Sequence, residues 1–181
     1  MAKQSRMAVG AVVGALSGLA GSWLMLRFVE DLGPRLLEGL KTEDERAKDR
    51  RETMRQMAKD GGEPDSVTMQ AADLFTRAAT GGRHLTHEER RQGGTLVHYG
   101  FGAVMGAAYG MTAEVWPLPT VGVGSVFGTA LWLGTDLLSL PAFGFTKWPA
   151  EEPAAAHVTH WMAHMVYGMG MEGTRRLLRA L

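Results

Sequence analysis

The 181-residue sequence contains no cysteine. Disulfide bonds, thiolate catalysis and cysteine-ligated zinc or iron–sulfur sites are therefore excluded. There is no excess of positive charge either, because 19 lysine and arginine residues balance 19 aspartate and glutamate residues. Proteins that bind nucleic acid carry a basic face, so nucleic acid is not an expected partner.

Charge is scarce outside one block of the chain. Residues 27–91 hold 13 of the 19 basic residues and 14 of the 19 acidic residues. A water-soluble domain spreads its charges over all its elements, whereas a membrane protein confines them to loops. The pattern indicates an integral membrane protein with one large polar loop, and the lipid bilayer is its predicted surrounding.

Four apolar segments are long enough to cross a bilayer as helices. The first has twenty uncharged residues, which at a rise of 1.5 Å per residue match a hydrocarbon core of about 30 Å. Pro117 and Pro119 mark the turn before the third segment. The predicted spans are 7–26, 95–113, 120–140 and 154–171. We therefore predict an all-α membrane protein, a single domain of four transmembrane helices in a bundle.

The first span has a second interpretation, a cleaved signal peptide with small residues at Gly18 and Ala20. Its apolar run continues through Trp23 and Leu26, past the point where the apolar region of a signal peptide stops. A true span gives four crossings and places both termini on one side. The positive-inside rule gives most weight to short flanks, and it favours cytoplasmic termini.

The polar loop, residues 27–94, is predicted to be helical. Thr42-x-x-Glu45 and Thr86-x-x-Glu89 are capping-box patterns that begin helices. A further helix that starts near Ser66 would carry an apolar stripe, and glycine pairs would end the helices. The stripe is Val67, Ala71, Leu74 and Ala78, and the glycine pairs are Gly61-Gly62 and Gly81-Gly82.

Glycines recur every four residues in three of the spans. This spacing lets helix backbones approach closely in lipid. Packing within the bundle explains the pattern most simply; a homo-oligomer or a larger membrane complex that docks through these faces is the alternative. The residues are Gly10, Gly14 and Gly18, then Gly102, Gly106 and Gly110, then Gly124 and Gly128.

Asp136 is the only ionisable residue in segment 115–146. A carboxylate within lipid is costly, so it requires a partner or a function. Counting from the ends of the spans places Asp136 and His160 about 7–8 Å below the same surface. His98 and His157 enter the same layer from the second and fourth spans, on the side where the polar loop attaches.

Several roles suit this group of side chains. The simplest is an interhelical hydrogen bond between the third and fourth helices. A proton-responsive switch is the second, since histidine titrates near neutral pH. A metal site would use Asp136, His157 and His160. A haem site would draw on His98, His160 and His164, with His98 and His160 as the facing pair.

The sequence contains no recognisable nucleophile–base pair, phosphate-binding loop or pair of catalytic acids. We therefore predict a protein that is not an enzyme and that requires no cofactor, with pH or acid-stress responsiveness as its function. The alternatives are a haem- or metal-binding membrane redox protein and an accessory subunit of a larger membrane complex.

Three segments resemble the YagU-like family of bacterial inner-membrane proteins, a domain of unknown function. They are LVHYGFGAVMGAAYG, WLGTDLLSLPAFGF and AHMVYGMGMEGTRRLL. The most specific features are His164-x-x-Tyr167-Gly168, and Asp136 followed by Leu140-Pro141. The resemblance covers the last three spans well and the first loosely. It implies a location in the bacterial inner (plasma) membrane and, in one branch, a link to acid resistance, and it supplies no catalytic residues.

Overall fold

The computed structural model describes residues 3–60 and 65–181, and every element in these ranges is helical. The predicted stop at Gly61-Gly62 lies outside the described residues. The α-helices are α1 Lys3–Arg27, α2 Gly33–Leu40, α3 Glu43–Asp60, α4 Val67–Thr80, α5 His87–Ala113, α6 Ser125–Trp132, α7 Leu140–Ala142 and α8 Ala154–Ala180. The π-helical turns Phe28–Leu32 and Leu133–Ser139 join α1 to α2 and α6 to α7.

The helix that contains the first apolar segment continues well past the predicted end of the span at residue 26. A π-helical turn carries α1 directly into α2, so residues Lys3–Leu40 form one helix. By length and composition, this is the one helix among the described residues that is apolar enough to cross a membrane. Core helices of soluble proteins and signal sequences have the same properties. The second and fourth apolar segments are helical too, over α5 and α8, whereas the third becomes a continuous helix only from Ser125, because residues 121–124 form a turn before α6.

The glycine faces of α1 and α5 pack against each other, antiparallel. A Cβ atom at Gly14 would collide with the carbonyl oxygen of Gly106, and one at Gly18 with that of Gly102. Side chains larger than hydrogen would therefore push the two backbones apart. The repeat in these two helices is used for packing within the chain, which is the simpler of its two interpretations.

Helix α8 holds the rest of the bundle together. It packs on α1, where Gly21 lies against Tyr167, and on α6, where Gly124 and Gly128 face its backbone. The buried core consists of Tyr109 from α5 with Tyr167 and Met171 from α8. The π-helical turn Leu133–Ser139 makes most of its contacts with its own flanking helices.

The predicted caps of the polar loop are confirmed. The Thr86 side chain accepts a hydrogen bond from the amide of Glu89, whose carboxylate bonds back to the amide of Thr86. Thr42 and Glu45 make the same reciprocal pair before α3. Ser66 caps α4, which ends at Gly81 in the left-handed conformation.

The predicted apolar stripe of α4 is not the face that it buries. Helix α4 packs on α5 through Met69 and Ala72, which lie against Gly94 and Gly93. Leu74, in the middle of the stripe, is 45% exposed. The apolar periodicity of α4 did not predict its buried face, because α4 approaches α5 where the two glycines of α5 leave room.

Candidate functional site

Asp136 lies between two histidines of α8. Its Oδ2 atom is 3.6 Å from Nδ1 of His160, and its Oδ1 atom is 3.7 Å from Nε2 of His164. The histidines are four residues apart, which places them on one face of α8. Asp136 itself lies on the π-helical turn after α6. The structure therefore brings together three of the predicted residues and joins the third helix to α8.

The protonation pattern of His164 follows from its other contact. Its Nδ1 atom lies 2.9 Å from the carbonyl oxygen of His160, which can only accept, so Nδ1 carries a proton. In neutral His164 the Nε2 atom then presents a lone pair to Asp136. That contact is repulsive when both groups lack a proton, and attractive when either the imidazole or the carboxyl group gains one.

The Thr135 hydroxyl adds a third polar group. Its Oγ1 atom is 2.9 Å from Oδ1 of Asp136 and 2.8 Å from the carbonyl oxygen of Leu131. One hydroxyl proton serves one of these two acceptors at a time. The hydroxyl oxygen can also accept a hydrogen bond from a protonated Asp136. Thr135 can therefore hydrogen-bond to Asp136 whether or not the carboxyl group is ionised.

The cluster lies at the polar end of the bundle, nearer the polar loop than counting residues along the spans indicates. Thr159, next to His160, contacts Gly33, which follows Arg27 and Asp31 along the first helix. The His160 side chain is 54% exposed, whereas those of Asp136 and His164 are 17% and 9% exposed. His160 is therefore the exposed member of the cluster, Asp136 is half-buried, and His164 is the most buried.

His98 and His157 have partners elsewhere. The Nε2 atom of His98 donates to the carbonyl oxygen of Ser22 at 3.0 Å, which ties α5 to α1. The Nε2 atom of His157 donates to the carbonyl oxygen of Pro149 at 2.8 Å, which fixes the start of α8. Neither forms a hydrogen bond or ion pair with Asp136 within the described ranges.

The side chains suggested as metal ligands therefore do not converge on one point, because they have different partners in the bundle. Across residues 3–60 and 65–181, no three His, Cys, Asp or Glu side chains are arranged to hold a metal ion. Of the metal candidates Asp136, His157 and His160, the first and third are neighbours. Of the haem candidates, His160 and His164 lie on the same helix, and His98 contacts α1 instead.

A second polar cluster lies at the opposite end of the bundle, around Glu172. This side chain is 0% exposed. Its Oε2 atom accepts from Tyr109 at 2.7 Å and from Nε of Arg175 at 2.6 Å, and its Oε1 atom accepts from Nε of Arg176 at 2.7 Å. The carboxylate is thus fully paired, as a buried charge has to be.

Sequence reasoning missed this second cluster. Glu172 and the arginines that follow it lie just beyond the predicted span 154–171, and no functional role was assigned to them. The available signal was the spacing, because Arg175 and Arg176 stand three and four residues after Glu172 on one helix. Tyr109 could not have been assigned from the sequence, because its hydroxyl comes from α5, 63 residues earlier.

Charged pairs also fix the α4–α5 hairpin in the polar loop. Asp73 accepts from the amide of Leu85 at 2.7 Å and lies 3.1 Å from Nδ1 of His84. The hydrogen bond from Leu85 is the main reason that the pKa of Asp73 is lowered from its usual value. Asp65 pairs with His87 at 3.3 Å and with Arg90 at 2.6 Å.

Residues 45–173 match the protein family described as "Protein of unknown function (DUF1440)". The chain belongs to the DUF1440 family. No curated protein and no solved structure matches the chain. The DUF1440 match runs from α3 to the Glu172 cluster and includes Asp136, His160 and His164. Helix α1 and the arginines that pair with Glu172 lie outside the matched range.

Proposed function

We propose that this DUF1440 protein is a non-enzymatic, four-span protein of the bacterial inner membrane that responds to pH through Asp136, His160 and His164. The observation that carries the proposal is the position of one carboxylate between two imidazoles. The resemblance to the YagU-like family, with its link to acid resistance, points the same way. The proposal includes cytoplasmic N- and C-termini, which the positive-inside rule favours.

The outer surface of the bundle supports embedding in lipid. Large apolar side chains point outward from all four apolar segments, where a water-soluble bundle would carry polar groups. Those that are at least 60% exposed include Val12 on α1, Leu96 and Val104 on α5, and Leu138 on the third helix. Trp161 on α8 is 36% exposed.

Ion pairs at the two ends of the bundle support four crossings. Four spans place the polar loop and segment 143–153 on one side, and the turn after α5 and the C-terminus on the other. Lys147 pairs with Glu52 of α3 at 3.1 Å, which joins the first two regions. Arg179 pairs with Glu114 at 3.0 Å, which joins the other two.

The expected response follows from the fixed tautomer of His164. At alkaline pH its Nε2 lone pair faces an ionised Asp136, and the contact between the third helix and α8 is repulsive. Gain of one proton turns the same contact into an attraction. Acidification should therefore tighten this contact, because it supplies that proton.

The test is thermal unfolding of the purified protein in lipid nanodiscs as a function of pH. We expect the unfolding temperature of the wild type to rise as the pH is lowered. Asp136→Asn should flatten this dependence, because an uncharged amide can donate to the neutral Nε2 of His164 through its nitrogen or accept from the protonated Nε2 through its oxygen. His157→Asn is the matched control and should keep the wild-type slope. An unchanged slope in Asp136→Asn would rule out the cluster as the sensor.

A further inference from the structure

The polar loop leaves one large aromatic side chain uncovered close to the apolar surface of the bundle. Phe75 of α4 is 61% exposed, although α4 packs closely on α5. The contact is made at Gly93 and Gly94, immediately before the predicted span 95–113. Helix α4 therefore lies at the level where the bilayer surface meets α5.

The direction in which Phe75 points follows from its neighbour Asp73. The Asp73 carboxylate binds Leu85 and His84, which lie in the turn before α5, away from the span. Two residues along an α-helix correspond to a rotation of about 200°. Phe75 therefore faces the opposite way, towards the span.

The same side of α4 is apolar beyond Phe75. Ala71 and Ala78 stand four residues before and three residues after it, which places all three on one face. The outward-facing apolar surface of α5 begins two residues beyond Gly94, at Leu96, which is 75% exposed and lies beside the face on which α4 packs. The uncovered face of α4 thus continues the surface assigned to lipid.

We propose that α4 lies on the membrane surface, with Phe75 inserted at the boundary between headgroups and acyl chains. This is the binding mode of an interfacial amphipathic helix, with one apolar side in lipid and the other side in water. The occupant is the bilayer that holds the spans, not a second protein. The inference rests on the proposed four-span membrane location.

The absence of cysteine makes a direct test available. A nitroxide label is attached to Phe75→Cys, Val104→Cys or Glu88→Cys, one per protein, in proteoliposomes. Val104 is 62% exposed in the middle of span 95–113 and reports the bilayer interior. Glu88 lies six residues before Gly94, about 9 Å further from the span, and reports water. Accessibility to oxygen and to a water-soluble nickel chelate gives the depth of each label.

The expected result is a label at Phe75→Cys that is shallower than at Val104→Cys but clearly shielded from the nickel chelate compared with Glu88→Cys. A label that matches Glu88→Cys overturns the inference. Low accessibility to both reagents overturns it too, because a protein partner or a second copy then covers Phe75. If Val104→Cys itself reads as water, the proposed span fails, which separates that failure from failure of the inference alone.

Discussion

Glu172 and Asp136 are both carboxylates among apolar helices, yet their surroundings differ. Glu172 accepts hydrogen bonds from Tyr109, Arg175 and Arg176, and it has no exposed surface. Among the residues that the structure describes, the polar groups that contact Asp136 are two imidazoles and a hydroxyl, at longer distances. The first carboxylate is held in one charge state by arginines, whereas the second has neighbours that can themselves gain or lose a proton.

Replacing Glu172 should therefore destabilise the fold at every pH. Glu172→Gln removes the charge that Arg175 and Arg176 pair with, and we expect a loss of about 2–3 kcal/mol in the free energy of unfolding. Denaturant unfolding in mild detergent measures it. Glu30→Gln is the matched control, because Glu30 and its partner Arg27 are both about half exposed and a surface pair contributes less than about 1 kcal/mol. Equal losses in the two variants would contradict this account.

The contact between α1 and α5 depends on two backbones rather than on side chains. Three glycines from each helix face the other helix, and a methyl group at most of these positions would meet a carbonyl oxygen. Hydrophobic periodicity does not show such a contact, but the spacing of the glycines does. The sequence therefore predicted that close approach would occur, although it did not identify the partner.

Gly106→Ala should separate the two helices. The new methyl group would collide with the carbonyl oxygen of Gly14, and overpacking of this kind costs about 1–3 kcal/mol or prevents folding. Gly100→Ala lies on the same helix with nothing within 4 Å of the new atom. It should be neutral or stabilise by up to about 1 kcal/mol, because alanine favours helix. Thermal unfolding measures the stability of both variants. Equal unfolding temperatures for the two would contradict the close contact between α1 and α5.

The α4–α5 hairpin should loosen in acid. Because the pKa of Asp73 is lowered in the folded state, its contribution is present above the ordinary carboxylate pKa of about 4 and is lost as the pH falls through the lowered value. The amide of Leu85, which donates to Asp73, should then lose protection from hydrogen exchange. In Asp73→Asn this protection should be weaker and should lose its acid dependence. A retained acid dependence would point to another group.

At the scale of the whole molecule, the sequence predicted what depends on local pattern. The uncharged runs and the caps at Thr42 and Thr86 lie in or next to helices, as predicted. The continuation of α1 into α2 was not predicted, because the uncharged run ends at Leu26. Pro34 does not break the helix, since it directly follows the π-helical turn, in the first turn of α2.

Only part of the candidate site was predicted, because some of its contacts depend on how the helices pack against one another. Asp136, His160 and His164 belong to adjacent helices, and spacing along α8 brought two of them together. His98 was expected to join them from its depth alone, but its contact with Ser22 depends on α5 packing against α1. Depth along a span does not determine which neighbour a side chain faces.

The claim that underlies all of this is that the chain crosses the membrane four times. Two single-cysteine variants test it directly: Leu118→Cys, in the turn after α5, and Trp148→Cys, before α8. A membrane-impermeant maleimide is applied to sealed vesicles of known orientation. Four spans predict that the two cysteines label from opposite sides of the membrane. Labelling of both from the same side would show that the third segment does not cross the membrane, which would contradict the account.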